Sequence, residues 1–306
     1  MHLKFASEGR GHDYSLMRGL VESTLDLLYV GDWPGRLWGL SSRARDVRVV
    51  HAKVEAQGIP PLRIAFASDL HIGPTTSPHT LDRAFELLSE ARPDVLLLGG
   101  DHVFLHGSPE KARKLREMVE RVPAPHKFAV LGNHDLWTTH HHLENALCEA
   151  GAHVLINASA RLSSPHHQVA IVGIDDPWTG RPDVATAFKG AENASLVFVL
   201  CHAPEGLPLC DGRAFSLYLC GHTHGGHVST PLGPPVIPGR IGRTLVAGEH
   251  HTKWGRVIVS RGVGGIEVPF RTWAPPDVVV VDVVAPGAHG VAAYSPTSSA
   301  HARRHR

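Results

Sequence analysis

Apolar residues recur along this chain at two different periods, and the change of period divides it. Over residues 15–29 they fall at helical spacing (Leu16, Leu20, Leu27, Leu28), which predicts an N-terminal helix. From Val47 the pattern shortens to strand-like runs, at 47–50 and, after a Pro60-Pro61 turn, at 62–68. A helix is predicted at 80–91, a buried strand at 94–98, a charged helix with an early proline at 109–122, a strand at 126–131 and a helix at 136–150. Shorter strand runs follow at 154–156, 169–174, 196–200, 215–219, 244–247, 256–260 and 278–284. The first half alternates βαβαβ, so its loops gather on one edge of a layered α/β domain. The strand-rich second half favours two packed sheets flanked by helices, a β-sandwich within an α/β (α+β layered) class, over one doubly wound sheet. The expected organisation is a helical arm at 1–46, a main domain at 47–285 and a Gly, Ala, Ser, His and Arg tail at 286–306, read as disordered. No internal repeat is visible.

Composition narrows the functional classes. The 306 residues carry a formal net charge of +1, with no basic stripe, so no nucleic-acid partner is expected. The first dozen residues are polar and mixed in charge, which predicts no secretory leader, and no stretch approaches the roughly 18 apolar residues of a membrane span. Cys148, Cys201, Cys210 and Cys220 show no C-x-x-C spacing and read as small packing residues in a reducing, cytoplasmic setting. Residues 25–40 (LDLLYVGDWPGRLWGL) are rich in Leu and Trp around a Pro-Gly break. Either they pack on the domain, or they touch lipid headgroups at the inner membrane face.

Five short blocks carry the chemistry: Asp69-Leu70-His71, Gly100-Asp101, Gly132-Asn133-His134-Asp135, His202 and Gly221-His222-Thr223-His224. Most follow an apolar run directly, so they are placed where strands end. A chance Asp-x-His is unremarkable with 24 histidines. Gly-Asn-His followed by an acid is expected only on the order of 0.003 times in a chain of this composition. Oxygen and imidazole donors at strand ends describe a site for two divalent ions, which clamp a phosphoryl group and generate hydroxide at neutral pH. Two Asp against two divalent ions leave the cluster cationic, and the mixed donor set suits Mn, Fe or Zn. No cysteine stands at a ligand position, against a structural zinc site.

These blocks resemble the five signature blocks of the calcineurin-like metallophosphoesterase superfamily, over roughly 47–284. The resemblance implies a two-sheet sandwich with metals at the strand ends. Residue by residue, it places Asp69, His71 and His224 on one metal, Asn133, His202 and His222 on the other, and Asp101 between them. It sets His134 against the leaving-group oxygen, with Asp135 orienting that imidazole. The Gly221–Gly226 segment and Ser260-Arg261-Gly262-Val263-Gly264 are most similar to small bacterial phosphodiesterases, some of which cleave a UDP-diacylglucosamine pyrophosphate. Two departures stand out: His227 where those relatives commonly carry Gln, and His102 where an apolar or aromatic residue is usual. Both are weak candidates for substrate binding.

The expected activity is thus hydrolysis of a phosphodiester or pyrophosphate by hydroxide bridging two metals, with a nucleotide-linked lipid among the candidate substrates. The rival enzyme reading is a broad phosphomonoesterase or protein phosphatase. The non-enzyme rival is an inactive, metal-stabilised binding module.

Overall fold

The computed structural model describes residues 6–287. Two six-stranded sheets form its centre. The first contains β1 (Arg48–Glu55), β2 (Leu62–Ala67), β3 (Val95–Leu98), β4 (His126–Ala129), β5 (Ala152–Val154) and, from the far end of the chain, β12 (Asp277–Val284). Its order is β1-β12-β2-β3-β4-β5, with β2 to β5 parallel and β12 antiparallel to β2. The second contains β6 (Ala158–Arg161), β7 (Val169–Gly173), β8 (Leu196–Leu200), β9 (Leu217–Cys220), β10 (Gly248–Thr252) and β11 (Gly255–Val259), in the order β10-β11-β9-β8-β7-β6. The strands β7, β8, β9 and β11 are parallel.

Continuous apolar runs such as Val95–Leu98 and Leu196–Leu200 are buried on both faces, as parallel strands must be when both sides are covered. Alternation sorts their side chains. Ile64, Phe66, Leu97 and Phe128 meet Phe198, Leu200, Leu219 and Ile258 between the sheets. Ala65, Leu96, Leu98 and Ala129 point outward, under α3 (Pro78–Glu90), α4 (Pro109–Glu120) and α6 (His141–Glu149). The outer face of the second sheet packs Val199, Tyr218 and Val257 with Cys201, Cys210, Cys220 and Leu207. Its cover is a 3-10 turn at Pro204–Cys210, the short α7 (Val184–Ala187) and loops, in place of long helices. Three cysteines are buried and none is paired, as small packing residues would be.

Three sequence expectations shift. The helix predicted at 136–150 is split into a four-residue α5 (Asn133–Leu136) and α6, because Thr138 leaves the helical path and accepts the Gly107 N–H at 2.6 Å. The run 244–247 is loop, and the strand begins at Gly248. Edge strand β6 (Ala-Ser-Ala-Arg) carries too little alternation to be read in advance and is imposed by antiparallel pairing with β7. The tail at 288–306, part of the disorder expectation, lies outside the described residues.

The N-terminal arm holds α1 (Leu16–Leu28), capped by Ser15, then α2 (Trp33–Gly39) and a 3-10 turn at Ser42–Arg45. The polarity of α1 is inverted. Its buried residues are Gly19, Glu22 and Ser23, while Leu16, Leu20, Leu27 and Leu28 are 56–69% exposed. Upstream, Gly11 N–H donates to Leu136 O and His12 N–H to Thr179 O, and Arg10 makes a bidentate pair with Asp175 at 2.6 and 2.7 Å. This strap ties the loop after β4 to the loop after β7. Among the described residues no helix is long and apolar enough to cross a membrane.

Candidate active site

Each block lies just past the C-terminal end of a parallel strand: Asp69 and His71 after β2, Asp101 after β3, Asn133 and His134 after β4, His202 after β8, His222 and His224 after β9. The chain pays for this placement in backbone strain. Asp69, His71, Asp101, His222 and His224 all adopt positive φ, between 43° and 69°. Such left-handed geometry costs a non-glycine residue about 1–2 kcal/mol and tends to survive where function requires it. Small residues make the room. A Cβ on Gly221 would collide with the Asp69 carboxylate, and one on Gly132 with that of Asp101.

The seven predicted ligands come together in two groups. In the first, His71 Nε2 faces His224 Nε2 at 3.1 Å, and His224 Nε2 lies 3.3 Å from Asp69 Oδ1. In the second, His202 Nε2 lies 3.1 Å from His222 Nδ1, 3.2 Å from Asn133 Oδ1 and 3.2 Å from Asp101 Oδ2. Asp101 Oδ2 is also 3.6 Å from His71 Nε2, so its carboxylate lies between the groups. Potential ligand atoms lie within 4.8 Å of one another in Asp69-His71-His224 and in Asp101-His202-His222. A third such group adds His134 to His71 and Asp101, a proximity the sequence reading did not anticipate.

The donor set fits divalent cations. Facing imidazole nitrogens buried at 3.1 Å repel unless a proton or metal lies between them, and His71 Nδ1 and His222 Nε2 have no partner at all. His202 Nδ1 donates to Gly99 O at 2.9 Å, which leaves the Nε2 lone pair aimed at the cluster. Burial, then neighbouring histidine, hold His71 and His222 well below the ordinary imidazole range, in the neutral form that ligates metal. Burial opposes the charge on Asp69, but His224, His202 and His71 outweigh it and hold its carboxyl low. For His202, too, burial is outweighed: Asp101 above all favours the imidazolium and raises its pKa well above the ordinary value. The carboxylates thus favour positive charge here, which a divalent ion held by these groups would supply.

Two expectations about neighbouring residues are corrected. Asp135 does not reach His134. It sits at the third position of α5 and folds back, so that Oδ2 accepts from Gly132 N–H and His102 Nδ1–H while Oδ1 accepts from the backbone of His102 and Val103. Asp135 therefore fixes the loop that carries Asp101. That pairing also removes His102 from the substrate side: it is 1% exposed and does not line the cleft. His227 does line the cleft, with Nε2 2.9 Å from Val268 O. Asp175 binds Arg10, and Asp176 accepts from the Trp178 and Thr179 backbone N–H groups, which initiates the turn after Pro177.

His134 instead meets the N-terminal arm. Arg18 Nη2 lies 3.1 Å from its Nε2 and 3.3 Å from its Nδ1, and the rings of His71, Phe104 and Trp137 pack around it with centroids 4.9–5.4 Å away. Burial first, then Arg18, push His134 well below the ordinary imidazole range. A cleft of about 520 Å³ opens over the cluster, walled by Trp137, Trp178, Val228, Val236, Ile266 and Val268. Neither this apolar wall nor Arg18 was singled out from sequence. A lone Arg within an amphipathic helix looks like solvent-facing charge until the fold brings it to a residue 116 positions away.

Comparison with known proteins agrees with this geometry. Residues 62–226 match the family model described as calcineurin-like phosphoesterase. The chain is 33% identical over 232 residues to phosphodiesterase YaeI of Escherichia coli, covering 73% of this chain and 83% of that one. It is 29% identical over 260 residues to an uncharacterized metallophosphoesterase of Aquifex aeolicus, covering 79% and 93%. The uncharacterized metallophosphoesterase YkuE of Bacillus subtilis is 25% identical over 226 residues, covering 73% and 79%. This chain belongs to the calcineurin-like phosphoesterase family and is a hydrolase of phosphoric esters.

Proposed function

We propose that the protein is a dinuclear metal-dependent phosphoesterase that cleaves a phosphodiester or pyrophosphate bond. The observation that carries this reading is the Asp101 carboxylate, lying between one group containing Asp69, His71 and His224 and another containing Asn133, His202 and His222. These residues would hold two ions of Mn, Fe or Zn. When bound, the ions supply Lewis acidity toward the phosphoryl oxygens and an activated water.

The remaining roles belong to the chain. His134, neutral and beside the cluster, donates a hydrogen bond to the departing oxygen. Asp135 acts at one remove by holding the Asp101 loop. The indoles of Trp137 and Trp178 face the cleft and exclude water from one side of the substrate. A relative named as a phosphodiesterase supports a diester over a monoester.

The finer proposal concerns substrate and place. An apolar groove of about 450 Å³ runs between Tyr29, Trp33 and Leu37 of the arm and Val268, Pro269 and Phe270, and it shares Val268 with the cleft. The exposed leucines of α1, with Trp33, Leu37 and Leu40 beside them, form a face suited to lipid headgroups. This supports a lipid-bearing diphosphate substrate and peripheral association with the cytoplasmic face of a membrane; the unpaired cysteines suit a reducing compartment. Comparing Mn-dependent hydrolysis of bis-p-nitrophenyl phosphate with that of p-nitrophenyl phosphate tests the reaction class. Preference for the diester is expected, and activity on the monoester alone would replace it with a phosphomonoesterase.

A further inference from the structure

Helix α1 is attached in a way that ordinary hydrophobic packing does not explain. It buries Glu22, 4% exposed, and turns its leucines to solvent. Beside Glu22 stands Arg18, whose Nε donates to Glu22 Oε1 at 2.9 Å and whose Nη1 donates to Glu267 Oε1 at 3.2 Å. The guanidinium carbon lies 5.2 Å from the Trp137 ring centroid, and Nη2 meets His134. Two carboxylates and an indole thus hold one guanidinium over the catalytic cleft. Tyr14 Oη donates to Glu22 Oε2 at 2.9 Å and completes the support.

Among the described residues that line the cleft, Arg18 alone carries a permanent positive charge. Its side chain keeps 22% of its surface exposed, so a ligand can reach it. It lies outside the stretch 62–226 that carries the signature blocks.

We propose that Arg18 is a phosphate-binding residue delivered to the active site by the N-terminal arm, where its guanidinium grips phosphoryl oxygens beside His134. The inference rests on the phosphoesterase reading above and assigns the arm a part in it. The planar fork forms two parallel hydrogen bonds to a phosphoryl group, which an ammonium on a flexible stem does not reproduce. Docking of α1 then serves to pre-set this fork: Glu22 engages Nε and Glu267 engages Nη1, so the two carboxylates do not use all five N–H donors of the guanidinium.

The test uses full-length, Mn-loaded protein and three readouts: hydrolysis of bis-p-nitrophenyl phosphate, calorimetric titration with inorganic phosphate, and metal content. Arg18→Ala is expected to lower kcat/KM by about 30- to 100-fold and to weaken phosphate binding about tenfold or more, with metal content and resistance of the arm to proteolysis unchanged. Arg18→Lys should fall in between, and millimolar guanidinium should restore part of the Arg18→Ala activity. The proposal is overturned if Arg18→Ala keeps kcat/KM and phosphate affinity within twofold of wild type, or if its losses accompany metal loss or release of the arm to protease. A wild type that cleaves no phosphoester, yet loses phosphate affinity on Arg18→Ala, would sink the functional reading and leave Arg18 as an anion-binding residue.

Discussion

At the strand ends, Asp69, His71, Asp101 and His202 are at most 2% exposed, and backbone from both sheets pins them in place. Ser68 Oγ donates to Asp69, Gly264 N–H donates to Asp69 O, and Gly99 O accepts from His202. In the N-terminal arm the order is reversed: apolar side chains face solvent and the buried contacts are polar, from Arg10 to Asp175 and from Arg18 to Glu22. The two regions meet at His134. A rigid rim tolerates strained backbone because two packed cores over-determine it, whereas the first part of the arm is held by ion pairs and a few backbone hydrogen bonds. In the proposed reading, reaction chemistry belongs to the rim and substrate capture to the arm.

The comparison breaks most visibly at Asp101. Asp101→Ala should lower activity by about 10³-fold or more and reduce bound metal below two ions per chain, because one carboxylate serves both groups. Full metal occupancy in that variant, measured by elemental analysis, would dissolve the rim as described. His134→Ala should lower turnover on the order of 10²-fold while both ions remain, the outcome the proposed role at the departing oxygen requires; loss of metal would move it into the ligand set.

The arm predicts smaller and more selective effects. Replacing Leu16, Leu20 and Leu27 by Glu should abolish co-sedimentation with anionic vesicles while most turnover of a soluble diester remains. Deleting residues 1–40 should reduce both, because Arg18 leaves as well. Full-length protein that never sediments with vesicles would remove the membrane from the account. Smallest is the strap. Arg10→Ala should destabilise the protein by about 2 kcal/mol, the scale of hydrogen bonds to a charged group. Burial works against ionised Asp175, but hydrogen bonds from Arg10 and the Arg181 backbone outweigh it and set its pKa below the ordinary 3.8. A lowered carboxyl pKa stabilises above the unfolded value and is lost as pH falls through the folded one. Wild type and Arg10→Ala should therefore differ at neutral pH and converge in acid as the pH falls through the lowered Asp175 value, which melting curves across that range would show.

The same contrast governs what the sequence reveals. Asp69, Asp101, Asn133 and His202 each follow an apolar run that can only be a buried strand, so their shared edge follows from alternation and spacing. The partner of Asp135 is not legible, because a side chain at the third position of a short helix can turn either to its neighbour His134 or back to its own N-terminus, and local sequence does not choose. Nor is the inversion of α1: leucines at helical spacing mark a face, not which side the rest of the molecule covers. Strand β6 is hidden for a related reason, since Ala158–Arg161 pairs through β7 and brings little pattern of its own.

The central claim, two cations shared across Asp101, is tested most directly by a crystal structure of Mn-soaked protein with anomalous scattering measured at the manganese edge. Two anomalous peaks are predicted, each about 2.0–2.3 Å from its ligand atoms. One should lie among Asp69, His71 and His224, the other among Asn133, His202 and His222, with the Asp101 carboxylate reaching both. A single peak, or peaks that leave Asp101 uncoordinated, would contradict it.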